Sequence, residues 1–578
     1  MATLELEQQR QRRLKFLLAA LLGLIVIPVL RLYYWQVMQS PQATSYNGTP
    51  TPTPIPTPNA PTHSRGVIRD RNGYPLALDS YYYQVYASPD MMGSEKERQE
   101  IAEEVAEILG RPGQEIMDKL RDKTQEFVVL ASWVEWEVGQ TIKERHLLGI
   151  GADPQPRRLY PARTLAAHLL GVATLEQKGV FGIEGFYNAL LNGEDQLCKI
   201  ESPTPDRHVT IGLREFVPSY GGCDLILTID WALQEMVARE LATAVAETGA
   251  EGGTVIVMDP RTGAILAMAS HPSFDLNEYS NIPIEQLTNP AVSKDYEPGS
   301  VFKIVTMAAA LDSGVFRPGD TCYDTGSITV GEQKIMNSDR RAYGRVSMTD
   351  ILVYSLNVCA AYISTTLGPD TFYEYVGRFG FGRRTGIDLA AEINGSMRLR
   401  GDPEWHISDL GTNAFGQGIA VTPLQMITAV AAVANGGQMV RPYVVKDIIA
   451  GDRVIPTEPA VGPWVISTSV AEELTQMLVE VVKKNEAAMV RGYSIAGKTG
   501  TAQIPDPQAG RYDPKWTIAS FAGYAPVDDP QFVVLVKLDK PQTSEWGAEV
   551  ATPVFSRIAQ QLFRYLDIPP DQIRLAAN

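Results

Sequence analysis

The segment Glu297-Pro298-Gly299-Ser300-Val301-Phe302-Lys303 decides how the rest of this chain is read. Pro-Gly marks a turn, and Ile304, Met307, Ala308 and Leu311 then recur at helical spacing up to Gly314. The pattern predicts a helix over 300–312, with Ser300 at its N-terminus and Lys303 one turn later on the same face. A serine hydroxyl is a poor nucleophile until an adjacent base takes its proton. A lysine is such a base only where burial or a neighbouring positive field lowers its pKa. Three residues along a helix bring the two groups within reach, and a helix N-terminus favours negative charge developing on the serine. The motif SxxK is short, with about one match expected by chance in a chain of this length. Its plain alternative is a serine cap beside a solvated lysine.

Two further motifs follow in the chain. Ser355-Leu356-Asn357 falls in an apolar stretch, read as a helix over 348–367, that opens with Ser347 and Asp350 as a capping box. Polar side chains among Ile351, Leu352, Val353, Val358 and Ala360 are costly unless partnered. The serine suits proton relay to a leaving amine and the asparagine suits a substrate amide; a satisfied contact between helices is the alternative. Lys498-Thr499-Gly500 lies in a predicted strand over 494–503, whose two glycines suggest close approach of another backbone, such as an extended peptide. Lys498 supplies a positive field for a carboxylate, and Thr499 and Thr501 supply hydroxyls, the alternative being a Gly-rich turn. In the order SxxK, SxN, KTG, the three form the signature of class A β-lactamases and penicillin-binding proteins.

Outward from these motifs, strands are predicted at 254–258, 264–268, 516–524 and 532–539, and a helix at 470–484. Another helix, carrying Leu233, Val237, Leu241 and Ala244 on one face, follows Asp230. Helices interleaved with such strands give an α+β fold with helices packed around an antiparallel sheet. Upstream, Ser94 and Glu97 make a capping box before an amphipathic helix ending at Gly110. Length and composition suit several domains: 578 residues, 44% hydrophobic and 20% charged. With 51 basic against 67 acidic side chains the net charge is −16, which repels phosphate backbones and disfavours nucleic acid as a partner. No CxxC, HExxH, GxxxxGK[ST] or GxGxxG occurs, so neither a metal nor a nucleotide cofactor is implied. Among the cysteines, Cys198 and Cys223 are closest in sequence, which does not by itself establish a pair.

The N-terminus indicates compartment. Arg10, Arg12, Arg13 and Lys15 precede an apolar run, and the segment 16–37 spans about 33 Å at roughly 1.5 Å per residue, enough to cross a bilayer. Arg31 sits near the far end, where it can snorkel, beside the interfacial Tyr33, Tyr34 and Trp35. The basic flank places residues 1–15 in the cytoplasm and everything after the anchor outside. A cleaved signal peptide is the rival, but no A-x-A site follows. Residues 38–63 form a Thr/Pro-rich linker favouring extended polyproline II.

Taken together, the chain resembles the class B penicillin-binding proteins, the membrane-anchored peptidoglycan D,D-transpeptidases. Arg65-Gly66-Val67-Ile68-Arg69-Asp70-Arg71-Asn72-Gly73 looks like the family's post-anchor motif, and Arg158-Leu159-Tyr160-Pro161 and Gly182-Ile183-Glu184-Gly185 look like its pedestal motifs. Leu227-Thr228-Ile229-Asp230 and Met258-Asp259-Pro260 look like the start of its transpeptidase domain. The resemblance implies an extended mixed α/β pedestal (dimerisation-type) domain at 64–215. It also implies a serine β-lactamase-like transpeptidase domain at 216–567 and a tail at 568–578. It makes Ser300 the acylated nucleophile, Lys303 its base, and Ser355 and Asn357 the relay and positioning pair. Lys498, Thr499, Gly500 and Thr501 become the strand that receives the donor peptide, with the Ser300 and Thr501 N–H groups as oxyanion hole. It implies D-Ala-D-Ala stem peptides as donor, an amine acceptor, trapping by β-lactams, and residence in the bacterial inner membrane. Ser520-Phe521-Ala522-Gly523-Tyr524-Ala525-Pro526 and Phe415-Gly416-Gln417-Gly418 are closer to division-type than elongation-type members. That implies a septal role beside a polytopic glycosyltransferase and other division proteins. Cys359, two residues after Asn357, and the long Thr-Pro linker depart from the family pattern. A class A β-lactamase is disfavoured, since no ExxLN-type stretch supplies a deacylating glutamate. A D,D-carboxypeptidase, or a non-catalytic sensor or division scaffold, stays open at this level.

Overall fold

A computed structural model describes residues 64–198, 209–211, 214–216, 221–506 and 511–577. The tail, anchor and linker expected over 1–15, 16–37 and 38–63 lie outside the described residues. Among the described residues no helix is long and apolar enough to cross a membrane.

Five antiparallel strands build the larger layer: β1 (Gly252–Met258), β2 (Ile265–His271), β3 (Ala496–Asp506), β4 (Arg511–Ala525) and β5 (Phe532–Asp539), in the order β2-β1-β5-β4-β3. These are the five strands expected, each present and most of them longer. Both faces of the sheet are covered, which explains why β1 and β5 read as near-continuous apolar runs. Val533 and Leu535 of β5 point into one core, and Val534, Val536 and Leu538 into the other. The second core is closed by two helices, α1 (Trp231–Thr248) and α7 (Thr552–Tyr565). The first is filled by α2 (Lys303–Asp312), α3 (Met348–Val353), α4 (Asn357–Arg378), α5 (Pro423–Ala434) and α6 (Thr468–Lys484). Every residue of α5 is buried. Its start carries a Thr422–Gln425 capping box and Pro423 in the first turn, signals present in the sequence and not used there.

One expected element is corrected. The stretch 348–367 is not a single helix but α3 and α4 separated by Tyr354, Ser355 and Leu356. Ser355 has φ +57°, and the Leu356 N–H donates to the Ile351 carbonyl at 2.9 Å, six residues closing back on one. That is a Schellman termination with serine where glycine is usual, sealed by the buried Leu356 and Ile351. The helix expected over 300–312 likewise begins with a 3₁₀ turn, Gly299–Phe302, before α2.

A second sheet ties the N-terminal part to the rest. Its order is Arg453–Pro456, Val445–Ala450, Asp224–Leu227, Ile68–Arg69, Pro75–Ala87, Val128–Val134, with Ile150–Leu159 also pairing with Pro75–Ala87. Ile68 lies beside Leu225 in parallel register. Residues of the 65–73, 158–161 and 182–185 stretches converge on one buried carboxylate. Glu184 accepts from Arg65 Nε and Arg158 Nε, each at 2.7 Å, while Arg158 also reaches Asp79 at 3.1 Å and the Gly66 carbonyl at 2.8 Å. Burial opposes the charge on Glu184, yet the guanidiniums of Arg158 and Arg65 hold its carboxyl below the usual range. The upstream Asp70 accepts from the Trp231 N–H at 3.1 Å, fastening the same segment to the first turn of α1.

Removing Glu184 leaves two buried guanidiniums without their shared anion. Glu184→Ala is expected to lower unfolding free energy by about 3–5 kcal/mol, read as a drop in the urea midpoint; an unchanged midpoint would contradict the network's role.

Candidate active site

All three motifs meet at one cleft. The 3₁₀ turn presents Ser300 beside the edge strand β3, because Gly299 adopts φ +57° with its Cα packed against the Thr501 carbonyl. A Cβ there would lie 2.7 Å from that oxygen, so the turn admits only glycine without displacement. Lys303, one turn on, is 1% exposed. Its Nζ lies 3.1 Å from Ser300 Oγ, 2.5 Å from the Ser355 carbonyl oxygen, 3.2 Å from Ser355 Oγ and 2.7 Å from Asn357 Oδ1. Lys498, also 1% exposed, puts its Nζ 3.1 Å from the same Ser355 Oγ. The serine hydroxyl therefore sits between two lysine nitrogens. Burial, then the positive field of Lys498, drives the Lys303 pKa well below that of a free lysine. Burial pushes Lys498 down to about 7.

The left-handed turn at Ser355 is what aims both its hydroxyl and its carbonyl at Lys303. It is held from outside by Asn337, whose Oδ1 accepts from the Val358 N–H at 3.2 Å and whose Nδ2 donates to Asp324 at 2.7 Å. Asn357 Nδ2 donates to the Met336 carbonyl at 3.1 Å. A disulfide joins Cys359, on the first turn of α4, to Cys322 on the strand Thr321–Asp324. Asn337 and this bridge were not read from sequence; Cys359 stood out only as a departure beside the SxN motif. Cys198 and Cys223 also pair.

On β3, Thr499 is half-buried, its hydroxyl 3.4 Å from Lys498 Nζ, and Thr501 Oγ1 accepts from the Gly547 N–H at 3.0 Å. The glycines of this strand have an internal reason. A Cβ on Gly497 would strike the Phe521 ring, and one on Gly500 would lie 2.3 Å from Ser520 Oγ. β3 is the outermost strand of its sheet, with an edge available for an added strand. The cleft thus combines a serine at a turn, a buried amine in contact with it, a second serine shared by two amines, and a strand edge.

Such a fold and cleft define a serine acyl-transferase of the transpeptidase class. Residues 253–560 match the family described as "Penicillin binding protein transpeptidase domain", and residues 61–227 match "Penicillin-binding Protein dimerisation domain". The chain is similar to Stage V sporulation protein D of Bacillus subtilis, 31% identical over 576 residues, covering 97% of this chain and 86% of that protein. It is also similar to Peptidoglycan D,D-transpeptidase FtsI of Escherichia coli, 30% identical over 523 residues, covering 88% and 85% respectively. Among solved structures, Penicillin binding protein 3 of Mycobacterium tuberculosis complexed with aztreonam superposes with a TM-score of 0.67 at 27% identity, covering 88% of this chain and 97% of that one. The chain belongs to the penicillin-binding protein transpeptidase family and has its two-domain fold.

The Cys322–Cys359 bridge closes a loop across a sequence separation of 37. Replacing both cysteines by alanine is expected to cost about 3–4 kcal/mol from the chain-entropy relation, measured as a lowered denaturant midpoint under oxidising conditions.

Proposed function

We propose that this protein cross-links peptidoglycan stem peptides by two-step acyl transfer through Ser300, in septal cell-wall synthesis. The single observation that carries the reading is the position of Lys303 Nζ, buried and within hydrogen-bond reach of Ser300, Ser355 and Asn357 at once. A carbonyl oxygen and an amide oxygen can only accept, so two N–H bonds of Lys303 are committed to Ser355 O and Asn357 Oδ1. A neutral amine has two N–H bonds and one lone pair. The lone pair then faces the Ser300 hydroxyl and takes its proton as Oγ attacks the penultimate D-Ala carbonyl.

Ser355, touching both lysines, relays that proton to the leaving D-Ala nitrogen. Lys498 and Thr499 orient the donor's terminal carboxylate, and the donor backbone runs along the β3 edge at Gly500 and Thr501. The N–H groups of Ser300 and Thr501 stabilise the oxyanion, a single such donor being worth about 10²–10³ in rate. An acceptor amine completes the second step, and a β-lactam halts the cycle at the acyl stage. In this reading residues 64–215 are the pedestal and 216–567 the catalytic domain. Residues 16–37 anchor the chain once in the inner membrane with the N-terminus inside. The division-type relatives support a septal role, and a polytopic glycosyltransferase with other division proteins would be the partners.

Incubation of the protein with benzylpenicillin is expected to add one penicilloyl mass, mapped to Ser300 and absent in Ser300→Ala. A well-folded wild type that takes up no adduct would falsify the reading, and an adduct lost within seconds would indicate a β-lactamase. The pH profile tests the base. Acylation requires neutral Lys303, so its rate falls at acid pH. Lys498→Met removes one of the two influences that depress the Lys303 pKa, so the acid limb is expected to move to higher pH, and a limb that moves lower contradicts the assignment.

A further inference from the structure

One buried acid beside the nucleophile has no part in the chemistry above. Glu297 lies three positions before Ser300, in the segment whose Tyr296 pairs with Val421 through two backbone hydrogen bonds of 3.0 and 2.9 Å. Its side chain is turned inward. Oε1 accepts from the Gly418 N–H at 2.9 Å and from the Tyr512 hydroxyl at 3.1 Å. Oε2 is fully buried and, among the described residues, has no partner. The two donors come from different elements. Gly418 belongs to the turn whose Gly416 carbonyl accepts from the Gly299 N–H at 3.1 Å, and Tyr512 sits opposite Pro505 at the outer end of the β3–β4 hairpin. Gly416 presses so closely on Gly299 that a Cβ would lie 2.3 Å from the Gly299 carbonyl oxygen.

A buried carboxyl oxygen that accepts from the 416–418 loop and from the β3–β4 hairpin at once couples both elements to the segment carrying Ser300. We propose that Glu297 is a positioning residue for acylation: its carboxyl group pins the Ser300 turn to the 416–418 loop and to the outer end of the β3–β4 hairpin. It thereby fixes the distance between the nucleophile and the strand edge that receives the donor peptide. The inference rests on the reading of Ser300 as the acylated serine.

The surroundings give the acid a distinctive titration. Burial raises Glu297 to about 7, opposed by the Gly418 N–H, by Tyr512 and by Arg398. Arg398 is itself drawn toward Asp409 at 3.5 Å and Glu404 at 3.9 Å. From β5, Lys537 stands over the ring of the adjacent Tyr296. The folded chain therefore keeps a proton that the unfolded chain sheds near the ordinary glutamate value of 4.5. This contribution to stability is complete below 4.5 and is lost as pH rises through about 7.

The test uses the full chain as wild type, Glu297→Gln, Glu297→Ala, Tyr512→Phe and Ser300→Ala. Acylation by a fluorescent penicillin is resolved into a binding constant and a rate constant, and thermal midpoints are recorded from pH 5 to pH 8. Glutamine retains an oxygen for both donors, so Glu297→Gln is expected to acylate within about threefold of wild type while losing the decline in midpoint between pH 5 and pH 7.5. Glu297→Ala is expected to lower the acylation rate constant at least tenfold. Tyr512→Phe removes one hydroxyl, leaves the nucleophile turn intact, and is expected to lower the rate constant severalfold with the thermal midpoint unchanged. Folded Glu297→Ala and Tyr512→Phe that both acylate at the wild-type rate overturn the proposal. Should Glu297→Ala fail to fold, Tyr512→Phe alone decides it. A wild type that is not acylated, like Ser300→Ala, strikes at the acyl-serine reading itself and not at Glu297.

Discussion

Two amines held out of water beside one hydroxyl are the constraint around which the catalytic part is organised. Lysine prefers its charge and its hydration, and a buried pair surrenders much of both. The protein accepts that cost at Lys303 and Lys498 by giving each nitrogen several oxygen partners and by placing Ser355 Oγ between them. The surrounding core has to be rigid and dry for this to persist. The helix α2, buried at every residue but Asp312, and the fully buried α5 supply that dryness. The closely packed glycines of β3 let the strand carrying Lys498 settle against its neighbours and against the Ser300 turn.

Strain is concentrated at the same point. Ser355 occupies a backbone region that glycine adopts freely and serine does not, at a cost of roughly 1–3 kcal/mol. Glycine there would relieve the backbone and remove the hydroxyl, so chemistry and conformational preference compete and chemistry prevails. The restraint comes from both flanks: the Schellman closure on Ile351 before the serine, and the Asn337 contact and the Cys322–Cys359 bridge after it.

Much of this was legible in the sequence, and the pattern of what was not is informative. The five strands follow from local apolar runs between turn residues, and both capping boxes at Ser94 and Ser347 formed as their spacing indicated. The three short motifs identified the residues that the fold gathers, although nothing local in them says that Ser355 breaks a helix. That break depends on a left-handed residue with no glycine to mark it. Glu297, Asn337, Tyr512 and the Cys322 partner of Cys359 were missed because each matters through a contact far away in the chain. Glu297 and Tyr512, for example, are 215 positions apart. The glycines of the KTG strand also have a reason within the fold that only distant residues supply, since Phe521 and Ser520 fill the space beside them.

The mixed sheet has a consequence for how such a chain reaches its folded form. The short strand Ile68–Arg69 is completed on one side by Asp224–Leu227, which in turn needs Val445–Ala450 on its far edge. Asp388 contributes as well, accepting from the Val444 and Val445 N–H groups at 2.7 and 2.8 Å. Sequence neighbours cannot close this layer early. As the polypeptide emerges, the far edge of Asp224–Leu227 stays open until Val445–Ala450 has followed. The layer is complete only once that late strand is in place, and until then the edge of Asp224–Leu227 is the one in need of protection.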